Sequence, residues 1–165
     1  MIKGLFLYLK DKNFFKKKEN LQLIGGIKDI EKIVKELDIK LLHIVDIDLT
    51  RRKIKNYDLY DKLTTFTHVQ VETNNVHVAK KLQEINVRIV LVKPYLDHKD
   101  YEALDKKFLA IRIEENEYVN LITSGNINDV VTSNNNIAEI VLSRRKRLFF
   151  IGKHEKAFCN IMVDF

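Results

Sequence analysis

Six continuous apolar runs, separated by amphipathic segments, constrain this 165-residue chain more than any other feature. The runs are Ile2–Leu9, Leu41–Ile47, His68–Val71, Val87–Val92, Phe108–Ile113 and Val119–Ile122. Most are unbroken rather than alternating, the pattern of strands covered on both faces in a parallel sheet. Between them, Ile27–Leu37 places Ile27, Ile30, Ile33, Val34 and Leu37 on one helical stripe. Asn75–Ile85 does the same with Val76, Val78, Ala79, Leu82 and Ile85, and Tyr57–Leu63 and Lys99–Leu104 predict shorter helices. Strand and helix in strict alternation give βα units wound in one hand. A full (β/α)₈ barrel takes ~250 residues. The expected fold is therefore α/β: a small, trimmed TIM-like barrel with predominantly parallel strands, formed by 1–165 as a single domain. An open doubly wound sheet is the competing topology.

Bulk properties narrow the classes. A chain of this length buries about two-thirds of its unfolded surface and needs no staples. The single Cys159 rules out an internal disulfide and predicts a buried small hydrophobe. A reducing cytoplasm fits that usage. No run approaches the roughly 20 apolar residues of a membrane span, and MIKGLFLYLKDK reads as a first strand. The net charge of +6 points to polyanions or to a solvated lysine-rich surface.

Candidate chemistry is sparse. The five histidines show no metal-ligand spacing, so neither a metal nor a cofactor is expected. His43 and His68 lie in predicted strands and are read as core residues. Asp46 and Asp48 end the strand LLHIVDID, where a barrel places its catalytic mouth, or else one of them caps the next element or pairs with Arg51 or Arg52. Ser124-Gly125 follows the predicted strand VNLIT and offers backbone N–H groups to phosphate, or forms a plain turn. The SNNN run at Ser133–Asn136 reads as a loop or cap, and the sequence from Ile137 onward fits either a helix or two strands. Basic clusters stand at Lys16–Lys18, at Arg51, Arg52, Lys53 and Lys55, and at Arg144, Arg145, Lys146 and Arg147. The last is followed by Phe149 and Phe150, which could stack on bases or fill the core.

From about Lys40 to Leu142 the order of motifs resembles the protein component 3 family of archaeal ribonuclease P, relatives of the eukaryotic thirty-kilodalton subunit. HVQVETNNVHVAKKLQEINVRIVLVKP (His68–Pro94) resembles that family's strand, turn, helix and strand ending before a proline. Leu96–His98 resembles its aspartate-histidine signature, and LITSGNINDV (Leu121–Val130) its strand ending in serine-glycine. The asparagine-arginine and D-x-G before that signature are missing, and TSNNN replaces the family's R-x-P-R-D. The resemblance implies a TIM-like fold and a cytoplasmic ribonucleoprotein subunit in tRNA processing. The catalyst of that endonuclease is its RNA, so this chain is not expected to catalyse by itself. Its partners would be ribonuclease P RNA, precursor tRNA, component 2 and other protein subunits. Asp97, His98, Ser124 and Gly125 would then mark the family. Arg51, Arg52, Lys53, Lys55, Arg144, Arg145, Lys146 and Arg147 would grip RNA. The fragments GGI (Gly25–Ile27), VDID (Val45–Asp48) and SGNI (Ser124–Ile127) suggest an alternative: a small barrel enzyme acting on a phosphorylated metabolite, like those of histidine biosynthesis.

Overall fold

The computed structural model describes residues 1–50, 53–124 and 127–165. Eight parallel strands close into a barrel with helices between strands. They are β1 (Ile2–Lys10), β4 (Leu41–Asp46), β5 (His68–Thr73), β6 (Arg88–Leu91), β7 (Leu109–Arg112), β8 (Asp129–Thr132), β9 (Arg147–Ile151) and β10 (Cys159–Met162). Closure comes from β10 pairing with β1 through Ile2–Leu5. The registers fix the stagger. Gly4 pairs Leu41, and Leu41 pairs His68. Two-residue advances along β5, β6 and β9 then carry the circuit to Cys159 and Ile2, two residues below its start. The resulting stagger of eight is that of a TIM barrel.

The helices are α1 (Ile27–Leu37), α2 (Tyr57–Leu63), α3 (Val76–Gln83), α4 (His98–Glu102), α5 (Leu121–Ser124) and α6 (Asn135–Ser143). α1, α2 and α3 match the stripes read from sequence. Among the described residues no helix separates β9 from β10, and none follows β10. No described helix is long and apolar enough to cross a membrane.

Two elements depart from expectation. The connection from β1 to α1 carries a hairpin that the apolar runs do not show: Lys16 and Lys17 belong to β2 (Asn13–Lys17), which pairs antiparallel with β3 (Leu21–Gly25) and with β1. Gly25 ends that hairpin at φ +144°, where a Cβ would lie 2.1 Å from Asp29 Oδ2. Nor is Val119–Ile122 a strand. Those residues form a turn and the start of α5, and the strand is the shorter DVVT of β8. Ser124 therefore ends a helix before a strand, not a strand before a helix, and Gly125 lies outside the described residues.

Alternate strand residues divide the core in two. Leu5, Leu7, Ile44, Val71, Ile89, Ile111 and Val130 face the helices. Phe6, Leu41, Val90, Ala110, Val131, Phe149, Cys159 and Ile161 fill the barrel. Burial pushes the Cys159 thiol up to about 12, as expected of an inert filler. Gly4 sits where the interior is tightest: a Cβ there would stand 3.2 Å from both Cys159 Sγ and Leu41 O. Gly4→Val is expected to cost about 2 kcal/mol through overpacking, read as a lowered urea midpoint. An unchanged midpoint would mean that the interior is loose.

Candidate functional site

Strand β5 breaks the apolar filling of the barrel, because its inward residues are His68, Gln70 and Glu72. Gln70 and Glu72 join inward polar residues of neighbouring strands in a continuous chain of hydrogen bonds. At the N-terminal end, Arg147 Nε and Nη2 donate to Asp129 at 2.7 and 2.8 Å, and Arg88 Nη2 donates to the same carboxylate at 2.7 Å. Arg88 Nε also faces Gln70 Oε1 at 3.5 Å. Gln70 Nε2 lies 2.8 Å from His43 Nδ1, and His43 Nε2 lies 2.6 Å from Glu72 Oε2. With Nδ1 accepting from the amide, Nε2 carries the hydrogen and donates to the carboxylate. Arg112 Nη1 donates to Glu72 Oε2 at 2.7 Å, and its Nε donates to Glu114 at 3.1 Å. Glu114 in turn accepts from the Ser133 backbone N–H at 2.8 Å and from Ser133 Oγ at 2.6 Å. The chain thus spans the barrel and ends by ordering the loop before α6. There Asn134 caps the helix by accepting from the Asn136 and Ile137 N–H groups, as the SNNN run predicts.

The C-terminal end of this chain opens into a cavity of about 290 Å³. Tyr8, Lys17, Lys18, Arg112 and Ser133 are among the residues that line it. Lys17 and Lys18 arrive on the hairpin, with Lys17 Nζ 5.9 Å from the Tyr8 ring centroid. Of the cavity's three cations, Arg112 is held by two carboxylates, Glu72 and Glu114. Burial works to raise the Glu72 carboxyl, but the His43 hydrogen bond and the Arg112 charge outweigh it and hold the group below its ordinary value. Tyr8 moves the other way. Burial and then the Glu72 charge raise its phenol, against the pull of Arg112. One lip of the mouth therefore keeps a carboxylate ionised and a phenol protonated beside a guanidinium.

The residues singled out from sequence fare unevenly. Asp46 faces outward, not into the mouth. It accepts from Tyr60 OH at 2.6 Å, from Asn56 Nδ2 at 3.1 Å and from the Asp48 N–H at 2.9 Å. Asp48 accepts from the Asp11 N–H at 2.8 Å. The pair holds the loops around it, and the expected alternative of pairing with Arg51 or Arg52 lies outside the described residues. His43 is buried as expected, whereas His68 is exposed at the start of β5. Asp97 occupies the N-cap position of α4 without a side-chain cap bond, and exposed His98 faces Glu102 at 3.6 Å.

Phe149 and Phe150 are buried, so neither offers a face to a base. Arg51 and Arg52 lie outside the described residues. Lys53 and Lys55 are exposed beyond the C-terminal end of β4, while Arg144, Arg145 and Lys146 turn from α6 into β9 at the opposite end of the barrel. Lys53 and Lys55 do not share a face with Arg144, Arg145 and Lys146, and Arg147 is engaged by Asp129. A groove of about 380 Å³ beside Lys53 and Tyr57 lies outside the barrel against α3, with Lys81 and Glu84 of opposite charge.

Sequence reasoning missed Tyr8, Glu72, Arg88, Arg112 and Asp129. The available signal was charge at period-two positions inside otherwise apolar strands. Among the described residues no group of three or more His, Cys, Asp or Glu is placed to hold a metal ion. No family model matches the chain, and a comparison with curated proteins gives no match.

The ion pairs set an acid limit. Glu72 and Asp129 both have folded values below their ordinary ones, in each case because arginine contacts, with His43 for Glu72, outweigh burial. The unfolded chain then binds more protons than the native one as pH falls through the carboxylate range. Their contribution is complete above about pH 5 and is lost as pH drops toward the lowered folded values. Glu72→Gln is expected to cost about 3 kcal/mol at neutral pH by leaving Arg112 underpaired. It should also flatten the acid limb of urea midpoint against pH. A mutant limb as steep as the wild type's would remove Glu72 from the cause.

Proposed function

We propose that the chain acts on a small phosphorylated metabolite bound in the C-terminal mouth of the barrel. The observation that carries this reading is the convergence of Lys17, Lys18 and Arg112 on one cavity at the strand ends, the place where barrels of this class hold their ligands. Lysine supplies mobile point charge, and a guanidinium fixed by two carboxylates supplies direction. Ribose 5-phosphate, set against ribose, is the probe by isothermal titration calorimetry. Ribose 5-phosphate is expected to bind with a Kd of about 100 μM, and Lys17→Ala and Lys18→Ala should each weaken it by about threefold to tenfold. Equal affinity for ribose, or indifference to both lysines, would overturn the reading.

A second reading is the ribonuclease P subunit, binding its RNA and precursor tRNA beside component 2. It is supported by the net charge of +6 and by Arg144, Arg145 and Lys146 together on the α6–β9 turn. Each phosphate contact would release counterions, so affinity for that RNA should fall steeply with salt. Replacing Arg144 and Arg145 by Ala should weaken RNA binding and slow 5′-leader cleavage by a complex reconstituted with the chain. Cleavage and binding that are the same with and without the chain would dismiss it.

A further inference from the structure

The floor of the barrel carries a second cationic opening that the mouth does not use. It is a cavity of about 400 Å³ at the N-terminal ends of the strands, bordered by Arg88, Arg147, Phe149 and Phe158. Arg88, Asp129 and Arg147 are the first residues of β6, β8 and β9. Two guanidiniums share the single carboxylate of Asp129, which leaves one positive charge uncompensated. Gln70 adds only an amide oxygen, 3.5 Å from Arg88 Nε. Lys40 at the rim is already paired with Asp38 at 2.8 Å, and the other rim group is His68.

Arg147 is the more open of the two, its side chain 47% exposed against 11% for Arg88, and with Nε and Nη2 given to Asp129 its Nη1 lies outside that pair. Its guanidinium carbon lies 4.3 Å from the Phe158 ring centroid and 5.5 Å from that of Phe149. Phe158 itself is 40% exposed. An aromatic ring open to water thus stands against the exposed guanidinium of a group with one positive charge in excess. A carboxylate is the group that a guanidinium pairs with in forked geometry, and a flat apolar body is what an exposed phenyl ring stacks on.

We propose that this floor cavity binds a small aromatic carboxylate, with its carboxylate on Arg147 and its ring against Phe158. The proposal is independent of what occupies the mouth. Its test is an NMR titration of the full ¹⁵N-labelled chain with benzoate, benzamide and acetate. Benzoate is expected to saturate with a Kd of about 1 mM, moving resonances around Arg147 and Phe158, with benzamide and acetate at least about tenfold weaker. Phe158→Ala removes an exposed ring and should weaken benzoate by about tenfold. Arg147→Lys keeps the charge but loses the fork and should also weaken it. Benzamide binding as well as benzoate would reduce the site to a greasy surface. Shifts centred on Lys17, Lys18 and Arg112 would assign the anion to the mouth instead. A linear, unsaturating response that Phe158→Ala leaves unchanged would overturn the proposal outright.

Discussion

The pairing of β10 with β1 is the constraint on which the molecule turns. It joins only Ile2–Leu5 to Cys159–Met162, yet it converts an open sheet into a barrel with an inside. Once closed, alternate residues of eight strands point inward, and most of them are removed from water. Apolar residues meet that condition by packing. The polar ones, His43, Gln70, Glu72, Arg88, Arg112 and Asp129, meet it only by satisfying one another, because an unpaired buried donor or carboxylate is costly. The chain of hydrogen bonds through the interior is thus a consequence of closure, and it arrives at both ends with charge to spare.

That division gives the two ends different characters. At the C-terminal end, Arg112 is held by Glu72 and Glu114 while Lys17 and Lys18 lean in from a hairpin, so fixed and mobile cations face one cavity. At the N-terminal end, Asp129 is outnumbered by Arg88 and Arg147, and the surroundings are aromatic. The trimmed architecture contributes as well. The first βα connection carries a hairpin, and that hairpin brings lysines to the mouth.

The fold was legible wherever burial on both faces made a strand continuously apolar, as in LLHIVD and RIVL. It was illegible at β8, where a more apolar neighbour stood in its place. VNLIT is more apolar than DVVT, yet DVVT is the strand, because its Asp129 is consumed by two arginines inside the barrel. NFFKK was obscured by its lysines, which line an exposed hairpin rather than a loop. The site was harder still. Glu72 and Arg112 are 40 residues apart, and nothing in either segment reveals that closure will bring them within hydrogen-bond reach. Asp46 and Asp48 were conspicuous in sequence for their place at a strand end, but one residue of register turns Asp46 to the helix side, onto Tyr60.

The central claim is that interior arginines are fixed by the polar chain and that Arg112 alone of them serves the mouth. Arginine Nε–H NMR tests it most directly. Arg88, Arg112 and Arg147 should give dispersed, slowly exchanging Nε–H signals, and adding inorganic pyrophosphate should move that of Arg112 while Arg88 stays in place. Arginine signals averaged to the solvent-exposed position, or an Arg112 signal indifferent to pyrophosphate, would contradict the account.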